Sequence, residues 1–142
     1  MLALVLPVVA EKTKIERVLG ALRRVNGSLP RLMKAWAARN GSWNRNPEAY
    51  QQAARTALDL GEGFLAFDIT VAGLSVFKSD RRLAQMQALA LARTGSPEAA
   101  NTALRRLADA GHRDEETLGL LARTHKDLWQ LAIDPSDAEA HL

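Results

Sequence analysis

The 142 residues include no cysteine, are 47% apolar and 25% charged, and carry a formal net charge of +3. One chain of that size buries a sizeable core, and disulfides, thiolate chemistry and cysteine-ligated metals are excluded. Abundant Ala and Leu beside only 5% aromatic residues favour helices, and the missing cysteine fits a reducing, cytoplasmic setting.

The first stretch, "LALVLPVVA" at residues 2–10, is the longest apolar run. It falls far short of the roughly 20 residues of a membrane span and lacks a secretory cleavage pattern. Pro7 argues against one continuous helix, so a buried strand or the remnant of a truncated element is expected there. Ile15, Val18, Leu19, Leu22 and Val25 then follow helical spacing up to Gly27. Ser28 caps a second helix with Pro30 in its first turn, a face of Leu29, Leu32, Met33 and Trp36, and a stop at Asn40-Gly41.

A polar linker ends in Asn46-Pro47-Glu48, which reads as a cap, a proline at the first helical position and an acid at the positive dipole end. That helix runs to about Leu60, before Gly61. Residues 62–77 alternate like a strand at Phe67, Ile69 and Val71, but sixteen residues without a turn are long for a strand. The repeat described next decides for helix. Three more helices follow: Asp80 to Gly95; Ser96, with Pro97 behind it, to Gly111; and one starting at Asp114 with acids in its first turn. Another opens near Ser136.

Leu-Ala-Arg-Thr occurs twice, at Leu91–Thr94 and again at Leu121–Thr124, yet little else matches at that offset. At an offset of 34 the agreement is distributed: Gly61 with Gly95, Ala66 with Ala100, Asp80 with Asp114, and Ala54 with Ala88 and Ala122. Helix–turn–helix units of that period are tetratricopeptide repeats. Units counted from 47, 81 and 115 put Ala54, Ala88 and Ala122 at the eighth position, and Ala66 and Ala100 at the twentieth. Small residues there let paired helices approach closely. The repeats are divergent: Tyr50, Ala84 and Leu118 share the fourth position, Asp134 stands at the twentieth of the third unit, and that unit's first helix runs past its expected stop.

Residues 61–129, most specifically "DEETLGLLARTHKDLW", resemble the tetratricopeptide region of bacterial proteins grouped under the TRAFs-binding-domain heading. That heading is named for the regulatory region of mitogen-activated kinase-kinase-kinases. The resemblance implies a helical repeat scaffold used in protein–protein regulation. The end at Leu142, partway through a helix pair, suggests a piece of a longer protein.

The expected fold is all-α: a basic amino-terminal segment with two helices (1–46), then a right-handed stack of antiparallel helix pairs over 47–142 (47–80, 81–114 and a truncated 115–142). Close helix crossings are expected at Ala54, Ala66, Ala88, Ala100 and Ala122. Residues 1–46 hold nine Lys/Arg against two acids, a net +7, and residues 47–142 hold ten against fourteen, a net −4.

No catalytic, cofactor or metal constellation is visible. Gly61-Glu62-Gly63 lacks a phosphate-loop lysine, and His112, His125 and His141 show no paired spacing. Glu115 and Glu116 suit a helix dipole, while Asp59, Glu62 and Asp68 have no nucleophile arrangement with them. The chain reads as a non-catalytic scaffold or regulatory module whose concave groove binds a protein or peptide.

Inward positions of the first helices nominate Gln51, Arg55, Arg82, Gln85, Arg93, Arg123 and Lys126, a locally basic groove suited to an acidic peptide. Gln51 and Arg55 stand where the chaperone-tail clamp wants lysine and asparagine, and Glu116 where it wants lysine, so that ligand is excluded. Self-association through the exposed last helix is a further expectation. The rival reading engages nucleic acid or an anionic surface through Lys12, Lys14, Arg17, Arg23, Arg24, Arg31, Lys34, Arg39 and Arg45, with Trp36 and Trp43 nearby. No nucleic-acid-binding motif accompanies them, and Trp36 lies on an apolar stripe, so that reading is disfavoured.

Overall fold

The computed structural model describes residues 2–133, with side chains from Lys12 onward. Its helices are α1 (Leu2–Arg23), α2 (Leu29–Ala37), α3 (Pro47–Asp59), α4 (Gly63–Val76), α5 (Arg81–Arg93), α6 (Pro97–Asp109) and α7 (Glu115–Ile133), with a 3₁₀ turn at Gly41–Arg45. Among the described residues no strand is present. From α3 to α7 each helix packs on the next, and α3, α5 and α7 also touch in succession. That is the layering of a stack of tetratricopeptide pairs. The expectations placed at Asp134 and Ser136 lie outside the described residues.

The amino-terminal expectation is corrected. Residues 2–10 belong to a continuous α1 rather than a strand. Pro7 stands in the second turn, where it forfeits one backbone bond, to the carbonyl of Ala3. A lone strand among helices would leave a whole row of backbone groups unpaired.

Helix starts follow their caps unevenly. Asp80 Oδ1 accepts from the Leu83 amide at 2.8 Å, and Ser28 Oγ accepts from that of Arg31 at 3.4 Å. Asn46 and Ser96 precede Pro47 and Pro97 without a side-chain cap bond. The Asn46 side-chain amide instead donates to the Ser42 carbonyl at 2.9 Å, closing the 3₁₀ turn.

Gly27, Gly61 and Gly95 have φ of 76°, 76° and 87°, a left-handed region that favours glycine. Each is separated from the next by one repeat period, so the glycine spacing of the repeat extends back to the end of α1. Both α1 and α2 pack on α3, and α1 does so much as α3 does on α5, but α1 and α2 touch each other far less than the helices of the later pairs do.

Ala54, Ala66, Ala88 and Ala100 are 0% exposed, as close crossings require. Ala122 departs from that expectation and is exposed. Among the described residues α7 packs chiefly on α6 and α5. Trp129, Leu131 and Ile133 are exposed on the same helix. α7 does run past the stop seen in the other units.

An aromatic cluster ties α2, the 3₁₀ turn, α3 and the end of α4 together. Trp43 lies 5.7 Å from Trp36 and 5.4 Å from Tyr50, and Tyr50 lies 6.3 Å from Phe77, all edge-on between centroids. Such pairs add about 0.5–1.5 kcal/mol each beyond their buried area. Trp43, set in a polar stretch, is buried by the 3₁₀ turn that swings it back onto α3.

Candidate binding groove

The first helices of successive pairs, α1, α3, α5 and α7, enclose a cleft of about 260 Å³. Arg55 reaches it from α3 and Arg82 from α5, both exposed. Gln51 and Gln85 also line it, but their amides are engaged in holding the stack. Gln51 Nε2 donates to Asp80 Oδ2 at 2.8 Å. Gln85, buried, donates to the two Asp114 carboxylate oxygens at 3.1 and 3.3 Å and to Thr117 Oγ1 at 2.8 Å.

The other expected residues stand apart from the cleft. The Arg93 guanidinium donates to the Leu58 carbonyl at 3.1 Å, closing the carboxyl end of α3 against the next unit. Arg123 and Lys126 are exposed on α7 and are not part of the cleft wall. Conversely, Leu19 and Arg23 of α1 form a wall that the sequence reading missed. The spacing of Gly27, Gly61 and Gly95 is the signal that would have assigned α1 as a first helix. Glu48 and Glu116 join the wall from the first turns of α3 and α7.

The electrostatics of the junctions follow from these bonds. The Thr117 hydroxyl, donating at 2.6 Å, holds the Asp114 carboxyl below its ordinary range, against a desolvation cost and with help from Gln85 and Arg81. Burial pushes the Tyr50 phenol up, opposed by Arg39, and its hydroxyl donates to Asn44 Oδ1 at 2.7 Å. Deeper in the stack, Asn101 Nδ2 donates to Thr124 Oγ1 at 2.8 Å, joining α6 to α7.

The tryptophans of the basic segment serve packing. Trp43 is 2% exposed, and the Arg39 guanidinium covers Trp36 at 3.8 Å from the ring centroid. Neither offers an open face for stacking a base. Among the described residues no group of His, Asp and Glu is placed to hold a metal ion; His141 lies outside them. Nor is any described helix long and apolar enough to cross a membrane.

A family model described as TPR-S: Tetratricopeptide Repeats-Sensor matches residues 49–142, well over half of the chain. No curated protein and no solved structure matches. That match supports the tetratricopeptide part of the sequence resemblance and does not reach the narrower likeness to the TRAFs-binding-domain proteins.

Proposed function

The chain belongs to the Tetratricopeptide Repeats-Sensor family, and from that premise we propose that its cleft takes an extended segment of a partner protein. Tetratricopeptide stacks are protein–protein interaction modules, and their concave surfaces are where partners bind. One observation carries the assignment to this cleft. Arg23, Arg55 and Arg82 line the same opening from three successive first helices, and none makes an ion pair or side-chain hydrogen bond among the described residues. Guanidinium forks suit a partner carboxylate, which they bind bidentately. The likeness of residues 114–129 to the TRAFs-binding-domain proteins fits a regulatory use of such an interaction.

Affinity capture from the native host tests this reading, run with the wild type, Arg55→Glu and Arg82→Glu at low and high salt, with nucleic acid identified as well as protein. The expected result is a protein catch lost in both variants while circular dichroism shows unchanged helicity. A protein catch that survives both substitutions, or a catch of nucleic acid in place of protein, sinks it.

A further inference from the structure

Glu48, Arg82 and Glu116 follow one another at the repeat period, so each occupies the same place on its helix, in the first turn of α3, α5 and α7. All three line the cleft and all are exposed. None makes an ion pair or side-chain hydrogen bond among the described residues. The lip of the cleft therefore carries a row of charges that alternates negative, positive, negative.

Two physical lengths give that row a meaning. Packed helices lie about 8–10 Å apart, and that distance sets the spacing of the row. A polyproline II segment has three residues per turn and rises about 3.1 Å per residue. Every third side chain then falls on one face, about 9 Å from the last, which matches the helix spacing.

We infer that the cleft selects a partner segment in this extended form whose charges alternate basic, acidic, basic at every third residue. The inference rests on the groove reading above and adds the partner's charge pattern to it. The central carboxylate meets Arg82, with Arg55 and Arg23 in the same cleft. The flanking cations meet Glu48 and Glu116. A uniformly acidic segment satisfies the arginines but sets like charges against both glutamates, which is destabilising. The pattern reads the same in either chain direction, so the selection does not depend on peptide polarity.

Fluorescein-labelled, end-blocked heptapeptides with every arrangement of Lys and Glu at positions one, four and seven, and Pro/Ala spacers, are the probes. Anisotropy against the full chain at low salt should rank Lys-x-x-Glu-x-x-Lys first, about tenfold tighter than Glu-x-x-Lys-x-x-Glu. In the variant E48K/R82E/E116K, with helicity checked by circular dichroism, the ranking should invert. If the all-Glu peptide binds the wild type best and Arg55→Glu abolishes that binding, the alternating pattern is wrong and the groove reading survives. A ranking unchanged by the triple variant and by Arg55→Glu places the peptides elsewhere, and both readings fall. Equal binding of all the peptides, or none at all, overturns the pattern.

Discussion

Gln85 donates its side-chain amide to the Asp114 carboxylate at 3.1 Å, and one repeat earlier Gln51 does the same to Asp80 at 2.8 Å. Each bond joins the first helix of one unit to the residue that opens the next. The two differ in environment, since Gln85 is buried and also donates to Thr117, whereas Gln51 is half-buried with a single such bond. Gln85→Leu should therefore cost about 1–3 kcal/mol and Gln51→Leu no more than about 1 kcal/mol. Urea unfolding, read as midpoint shifts at constant slope, measures both; equal losses would contradict the asymmetry.

Acid should loosen the same junction. The Asp114 carboxyl lies below its ordinary range in the fold, chiefly through the Thr117 hydroxyl. The unfolded chain consequently takes up a proton there more readily than the folded one, so the stabilisation is complete above the ordinary carboxylate value of about 4 and is lost as pH falls through the depressed one. Thr117→Val removes the largest cause. A carbon-detected titration should show the Asp114 midpoint rising in that variant, and a midpoint that stays put would show that the hydroxyl is not what holds it.

Glycines at two helical positions make opposite predictions. A Cβ added at Gly73 would stand 2.9 Å from Leu83 Cδ1 and 3.0 Å from Tyr50 Cβ, whereas one at Gly119 meets nothing within 4 Å. Gly73→Ala overpacks the crossing of α3, α4 and α5 and should lose about 1–3 kcal/mol. Gly119→Ala should gain about 0.5–1 kcal/mol from helix propensity alone. Ala88→Leu, at a fully buried crossing, belongs with Gly73 and should also cost about 1–3 kcal/mol. Thermal melts of the three variants would reveal a misassigned register as a Gly73→Ala or Ala88→Leu protein as stable as the parent.

What the sequence showed was what depends on local chemistry. Asp80 caps α5 because aspartate before a helix accepts its free amides, and Gly61 and Gly95 stop helices because they adopt positive φ. The alternation at Phe67, Ile69 and Val71 gave way to the repeat, and α4 is a helix. Features that depend on stacking were hidden. The amides of Gln51 and Gln85 face the groove by register, but the carboxylates that open the following units take them once the units dock. Leu32 stands where the later units have Ala66 and Ala100, which masked α1 as a first helix and, with it, the Arg23 wall. Ala122 followed the small-residue series and yet lies exposed, because burial depends on a neighbour as well as on size.

Trp43 shows the same limit and gives the sharpest stability test. Its neighbours Ser42, Asn44 and Arg45 are polar, so sequence alone supplies no packing role for it. The fold buries it to 2% exposure between Trp36 and Tyr50. Trp43→Ala removes a whole aromatic from a packed cluster and should cost about 3–5 kcal/mol, whereas Trp129→Ala, at a site 66% exposed, should stay within about 0.5 kcal/mol. Fluorescence gives an independent check: loss of Trp43 should remove blue-shifted emission, and loss of Trp129 should remove red-shifted emission. A Trp43→Ala protein that keeps its melting temperature would detach the 3₁₀ turn from the core and, with it, the anchoring of α1 and α2 on which the Arg23 wall of the groove depends.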